Sequence, residues 1–436
     1  MEQLKPKGTT AVNIAQSIEQ LIRLQKWPPG FRLPTVRVLA DDLGVNPNTV
    51  SAAYKQLRDA GIIATDGRRG SFVPEKAATG WQQMAIPAGL ADLASGNIDR
   101  RLLPKIDPAM LANYNLAADV GSHGDSPALI AFIQHWLQQH CQISAEPYLF
   151  FGSLDIIERA LTQRCLPGAK VLIEDPCWPP AITLLHHLRL QAVPLAMDAE
   201  GAKIPDEATL RSASAIILTA RAHSPTGICY SRARWQQWQQ ALSRHSALLI
   251  IDDHWGALSR QPFHGMQDFA NEWIYSTSTS KFLGTDFRIA VAAGSSPILP
   301  AMKTRFTLGP RWISKLLQHL ALSIWQNLDS DGLNHIAASY ARRRHLLLNA
   351  LTVHHIRLPW QPERGEGMHI WLPVPNEPQI IQALAAKGWA VQSGAPISLT
   401  KQPAIRITIS NLSDESCQTL ADDIAEALAG VGRAVY

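Results

Sequence analysis

The chain has 436 residues, 46% of them hydrophobic and 17% charged, proportions that exclude a disordered or fibrous protein and provide for two or three domains with sizeable cores. No window approaches the ~18 uninterrupted apolar residues of a membrane span, and the N-terminus lacks an apolar signal core, so a soluble cytoplasmic protein without a membrane partner is expected. The net charge of +4 lies entirely in residues 1–76, where eleven Lys/Arg face seven Asp/Glu while the other 360 residues carry 29 of each; an anionic partner, nucleic acid above all, is expected for that segment.

Five scattered cysteines (Cys141, Cys165, Cys177, Cys229, Cys417) without CxxC spacing indicate neither a disulfide framework nor a zinc site. The histidines, including His186-His187 and His354-His355, form no metal-ligand pattern, and no metal is expected.

In residues 1–76, Thr10 is placed to cap an amphipathic helix with Val12, Ile14, Ile18, Leu21, Ile22 and Leu24 at helical spacing, ending before Trp27-Pro-Pro-Gly30. A second helix runs from Val36 to Leu43 and is ended by Gly44. A third begins at Asn46-Pro-Asn-Thr49, carries Val50, Ala53, Tyr54 and Leu57 on one face, and stops before Gly61. Two short helices joined by a glycine turn form the helix-turn-helix pattern. The run Ile62-Ile-Ala-Thr-Asp-Gly-Arg-Arg-Gly-Ser-Phe-Val73 then reads as a β-hairpin wing with Arg68 and Arg69 at its basic turn.

The segment resembles the winged helix of GntR-type repressors through Leu33-Pro-Thr-Val-Arg-Val-Leu-Ala40, Leu43-Gly-Val-Asn-Pro-Asn-Thr-Val50, Leu57-Arg-Asp-Ala-Gly61 and Arg69-Gly-Ser-Phe-Val73. The resemblance implies binding to a double-stranded DNA operator through Arg37, Asn46, Asn48, Thr49 and Ser51 around the recognition helix and Arg69 and Gly70 in the wing. Asn46 and Asn48 replace the more usual Ser/Thr-Arg, so base readout would rest on amides and hydroxyls. Residues 77–90, of mixed composition and no period, read as a linker that docks through Trp81 or Met84.

From residue 91 onward, continuous apolar β-prone runs alternate with helical stretches: Lys170–Asp175, Ser214–Thr219, Ala247–Asp252, Trp273–Ser276 and Arg288–Ala293. Unbroken apolar strands imply a sheet covered on both faces, so the fold class is α/β with a mostly parallel central sheet and ligands at the carboxyl ends of its strands. Five such ends carry polar groups. Phe150-Phe-Gly-Ser-Leu154 opens a helix over Asp155–Leu166 and offers Ser153 and backbone amides to a phosphate. Glu174-Asp-Pro-Cys-Trp178 places an aromatic past a strand, Ala222-His-Ser-Pro-Thr-Gly227 supplies donors, and Asp252-Asp-His-Trp255 offers a carboxylate. Last comes Tyr275-Ser-Thr-Ser-Thr-Ser-Lys-Phe-Leu-Gly-Thr-Asp-Phe-Arg288, in which a partly desolvated Lys281 can act as an amine nucleophile toward an aldehyde, while Ser278, Ser280 and Arg288 suit a phosphate. Singly, Trp178 also suits a core, the Asp252-Asp253 pair a helix cap and Arg406 a surface ion pair. In their shared order the five ends describe a seat for pyridoxal 5'-phosphate (PLP).

Residues 91–436 resemble the fold type I aminotransferases, and with residues 1–76 the chain resembles the MocR-type regulators. That resemblance implies Lys281 as the Schiff-base lysine and Asp253 as the pyridinium partner, with Asp252 the lesser candidate. It implies Trp178 as the stacking aromatic and Ser153, Ser278, Ser280 and Arg288 as the phosphate-holding set. Arg406, in Ala404-Ile-Arg-Ile-Thr-Ile409, would grip the carboxylate of an amino compound. Trp255 stands where the family has a tyrosine, Ser224 where it has an asparagine, and the helix after Gly121 lacks a Leu-Arg pair; at most slow transamination is expected.

Beyond Leu316 a long helical stretch, with Arg342-Arg-Arg344 on a solvated face, leads to a small C-terminal α/β subdomain, from about residue 325, holding Met368–Leu372 and Ile405–Ile409. A homodimer is expected, with Tyr114 a candidate for donation across its interface. The expected function is a PLP-responsive transcriptional regulator in which PLP and an amino compound act as effectors. Control of vitamin B6 metabolism is the subordinate expectation. The alternative is an active PLP-dependent aminotransferase carrying a DNA-binding head.

Overall fold

A computed structural model describes residues 5–59, 61–66, 70–74, 86–112, 114–115, 124–358 and 365–431. The chain divides into two compact units, one containing residues through 81 with the short stretches 166–170 and 183–192, the other containing the remainder.

In the first unit α1 (Ala11–Arg23), α2 (Val36–Leu43) and α3 (Pro47–Asp59) enclose an apolar core that includes Ile14, Ile18, Leu39, Val50, Ala53 and Leu57. Thr10 Oγ1 accepts from Asn13 N at 3.2 Å, capping α1. Gly44 ends α2 with φ of +64°, a backbone state that costs a side-chain-bearing residue strain. Val50, Ala53 and Leu57 recur on one face of α3 and are buried, as their spacing dictates. Strands β1 (Ala64–Asp66) and β2 (Gly70–Phe72) pair antiparallel, Ala64 opposite Phe72, and form the expected hairpin. Arg68, Arg69, Trp81, Met84 and Gly121 lie outside the described residues.

The second unit is built on an eight-stranded sheet. Its strands are β4 (Tyr148–Phe150), β5 (Lys170–Asp175), β6 (Gln191–Asp198), β7 (Gly201–Ala202), β8 (Ala213–Leu218), β9 (Leu248–Asp252), β10 (Trp273–Ser278) and β11 (Ala290–Gly294). Their order is β4-β11-β10-β9-β8-β5-β6-β7. Strands β8, β9 and β10 run parallel, whereas β11 is antiparallel to both β10 and β4. Every residue of β9 is buried, which requires cover on both faces and explains its unbroken apolar run.

The helix Lys315–Val353 is interrupted at Asp329, whose φ of 44° and ψ of −164° are not helical. After it come β12 (His369–Pro373), β13 (Trp389–Ser393) and β14 (Ala404–Thr408). These three join β3 (Ala91–Leu93) in a four-stranded sheet of order β12-β14-β13-β3. The small sheet therefore borrows a strand from the start of the unit, which the sequence pattern did not reveal.

Arg342–Arg344 corrects an expectation. Only Arg342 is exposed, against Asp414. Arg343 reaches Asp99 at 2.6 Å and Ser410 O at 2.6 Å, and Arg344 is buried, donating to His369 O at 2.5 Å and Thr226 O at 3.0 Å. Three successive helical positions cover most of the helix circumference, so they cannot all share one face.

Candidate functional site

The alternation of β10 sorts its hydroxyl-rich run onto two sides of the sheet. On one side Tyr275 OH donates to Asp253 Oδ2 at 2.6 Å and Thr277 Oγ1 to Asp253 O at 2.9 Å. Beyond the strand, Thr279 N and Oγ1 both donate to Ile289 O, at 3.0 and 3.1 Å, fixing the turn that delivers Lys281. Lys281 Nζ approaches Met368 Sδ at 3.7 Å. Burial lowers its pKa from 10.5 to about 8; nearby Asp252 opposes the shift and Arg406 adds to it.

Beside this turn lies a cradle for an anion. Ser278 Oγ and Ser280 Oγ are 2.9 Å apart. A Cβ added at Gly152 would stand 2.7 Å from Arg288 Nη2, so only glycine lets the guanidinium reach the start of the helix Ser153–Arg164. Arg288 itself is exposed and holds a φ of 48°. Ser153 Oγ, at that helix start, is buried without a hydrogen-bond partner. The helix N-terminus, two hydroxyls and a guanidinium form a donor set suited to a phosphate.

The two acids of the pair have different partners. Both oxygens of Asp253 are engaged: Arg221 Nε donates to Oδ1 at 3.1 Å, Arg221 Nη2 donates to Oδ2, and Tyr275 OH also reaches Oδ2. Asp253 therefore anchors a buried ion pair with Arg221. Asp252, on the opposite face of the strand end, has a buried Oδ1 with no partner and acts on Lys281. Of the two carboxylates, Asp252 is the one with an unpartnered oxygen near Lys281, and Asp253 the one held by Arg221. Arg221 was missed; a lone arginine among small residues after a buried strand, in Thr219-Ala-Arg-Ala-His-Ser224, was the available signal.

Trp178 is half-buried just beyond β5. Ser224 is buried at 7% exposure. Trp255 is buried edge-on against Tyr340, ring centroids 5.2 Å apart. Arg406, on β14, is 2% exposed; Nη2 donates to Ala94 O and Nε has no partner. Burial pulls its pKa down to about 10. Such a guanidinium is primed for an anionic ligand. Three buried polar atoms without partners, Ser153 Oγ, Asp252 Oδ1 and Arg406 Nε, together with the anion cradle and the desolvated amine of Lys281, are what a group with an anionic tail, a basic ring and an aldehyde would satisfy. The donor set fits PLP.

In the head, Arg37, Asn46, Asn48 and Ser51 are exposed and Thr49 is half-buried. Asn46 Oδ1 accepts from Asn48 N at 2.8 Å, closing the start of α3. Gly70 is exposed with φ of +70°. Tyr114 is half-buried, its ring 5.4 Å from that of His319. Among the described residues no group of three or more His, Cys, Asp or Glu could hold a metal ion, and no helix is long and apolar enough to cross a membrane.

Residues 10–73 match the model of the gntR family of bacterial regulatory proteins, and residues 92–424 that of the class I and II aminotransferases. The chain is 34% identical over 431 residues to the vitamin B6 salvage pathway transcriptional repressor PtsJ of Salmonella typhimurium, covering 97% of this chain and 99% of that one. The fold is similar to that of the kynurenine aminotransferase of Pyrococcus horikoshii, with a TM-score of 0.71 and 20% identity over 79% of this chain and 92% of that one. It is also similar to LysN, an α-aminoadipate aminotransferase from Thermus thermophilus, with a TM-score of 0.67 and 18% identity over 80% and 94% of the two chains.

Proposed function

Because the chain belongs to the MocR-type regulators, in which a gntR-family winged helix precedes a class I and II aminotransferase domain, we propose that it is a transcriptional regulator that holds PLP on Lys281 and couples its presence to DNA binding. The observation that carries this reading is the desolvated Lys281 amine set between the anion cradle and Asp252. LysN was crystallised with a phosphopyridoxyl-leucine, which supports the same cofactor class here.

PLP bound there would supply an electron-withdrawing ring and an aldehyde. Ser153, Ser278, Ser280 and Arg288 would hold its phosphate, Trp178 would cover the ring, Asp252 would keep the ring nitrogen protonated, and Ser224 and Trp255 would border the ring. Arg406 grips the carboxylate of an amino compound. Arg37, Asn46, Asn48, Thr49, Ser51, Arg69 and Gly70 contact operator DNA. The domains are residues 1–76 and 91–436 joined by 77–90, and a homodimer with Tyr114 at its interface would present two reading heads to two half-sites. The likeness to PtsJ, a repressor of vitamin B6 salvage, favours B6 metabolism as the process controlled, and cytoplasmic action follows from DNA as the partner.

The test has two readings. Added PLP should give an absorbance band at about 400 nm that Lys281→Ala abolishes, and PLP should change the affinity for operator DNA across a salt series. An unchanged affinity with and without PLP overturns the coupling, and a band that survives Lys281→Ala overturns the lysine assignment.

A further inference from the structure

One buried titratable group near the site has no part in the reading above. His369 lies on β12 and is 8% exposed. The antiparallel register sets His369 opposite Thr408 and Trp371 opposite Arg406. Alternation therefore puts His369, Trp371, Arg406 and Thr408 on the same face of the small sheet. The imidazole and the guanidinium converge further: a Cβ built on Gly96, whose φ is +74°, would stand 3.3 Å from both His369 Cε1 and Arg406 Nη2.

Ring and backbone of His369 each have one partner. Nδ1 is 3.2 Å from Thr408 Oγ1, and the backbone oxygen accepts from Arg344 Nη1 at 2.5 Å. This leaves Nε2 as the nitrogen able to meet a ligand. The charged and titratable groups acting on it are Arg406 from β14, Lys281 from the turn after β10, His254 from the segment after β9, and Arg344 from the long helix. Asp252, the carboxylate nearby, is drawn to His254, with His254 Nδ1 to Asp252 Oδ2 at 3.4 Å. Burial and these cations keep His369 neutral, its pKa well below the ordinary imidazole range.

We propose that His369 and Arg406 together receive the carboxylate of an amino-acid effector, and that His369 takes up a proton as that carboxylate arrives. The carboxylate reverses the local field: an anion between ring and guanidinium favours the imidazolium, which donates a charge-assisted hydrogen bond through Nε2. The proton comes from the buffer, so one anion and one proton enter together and the net charge of the site is unchanged. Binding of that carboxylate is thereby linked to proton concentration. This rests on the reading of Lys281 as the PLP-bearing lysine.

Propionate is the probe, since it carries the carboxylate but no amine to react with the cofactor. Calorimetry on the PLP-loaded full chain in two buffers of different ionisation enthalpy should show uptake of about one proton per bound propionate near neutral pH, with affinity falling as pH rises. His369→Asn, which keeps a polar side chain but cannot take the proton, should abolish the uptake and weaken binding roughly tenfold or more. Thr408→Val, which frees the ring without removing it, should weaken binding less. Equal affinity and equal proton count in His369→Asn overturn the proposal, as does a wild-type chain that fails to bind propionate or binds it without proton uptake. The cofactor absorbance of the same samples reports on Lys281 separately, so failure of that reading and failure of this one are distinguishable.

Discussion

The head and the aminotransferase-like unit handle polar groups in opposite ways. In the head the core is apolar throughout, and the residues proposed to contact DNA, Arg37, Asn46, Asn48 and Ser51, stand on the surface. In the larger unit Arg221, Asp252, Asp253, Arg344, Arg406 and His369 are all buried. A buried charge costs several kcal/mol unless it is paired. The head thus separates stability from function, while the larger unit accepts desolvated charge where a ligand is to be held. Two of the larger unit's unpartnered buried atoms, Asp252 Oδ1 and Arg406 Nε, belong to residues that act on Lys281.

Several measurements would break or sharpen this contrast. The largest expected effect is Lys281→Ala, which removes covalent capture of PLP altogether while leaving urea denaturation of the head unchanged. Next is Arg221→Met, which strands the Asp253 carboxylate and should cost the larger unit about 3–5 kcal/mol in urea denaturation. The double variant Arg221→Met with Asp253→Leu should recover most of that loss; a cost below about 1 kcal/mol for the single change would mean the pair is not desolvated. In the head, Asn48→Ala should weaken binding to a specific site by about 1–3 kcal/mol. Arg37→Ala should weaken all sequences alike and reduce the salt slope by about one, both read by fluorescence anisotropy. The smallest effect is Thr10→Ala, about 1 kcal/mol on the head through loss of the cap on α1.

The pH dependence has a definite sign. The Lys281 amine reacts only when unprotonated, and its pKa lies at about 8 instead of 10.5. The rate of PLP capture should therefore rise with pH up to about 8 and level above it, as stopped-flow absorbance would show. Between about 8 and 10.5 the unfolded chain binds the extra proton, so the cofactor-free unit should gain stability as pH rises through that window.

Much of this was legible in the sequence. The helix caps, Gly44, the covered strands and the Lys281 run follow from local chemistry, because each signal and its consequence lie within a few residues. Asp252 and Asp253 show where legibility stops. Adjacent residues at a strand end point to opposite faces, and Asp253 is turned toward Arg221, thirty-two positions away. Arg344 failed for the same reason, since its carbonyl partners, at Thr226 and His369, come from distant parts of the chain. The meeting of His369 with Arg406 likewise depends on strand register, which no single segment encodes.

The pairing of β3 with β13 sets an order of events during synthesis. Ala91 lies opposite Trp389, so β3 waits for a partner made about three hundred residues later, whereas the core of the head is drawn from Ile14 to Val73. Domains fold as units from the N-terminus as they emerge. Each newly made molecule therefore has a finished DNA-binding head well before Arg406 and His369 exist in place, and a truncation that removes only the C-terminal strands would leave that head intact without the proposed carboxylate site.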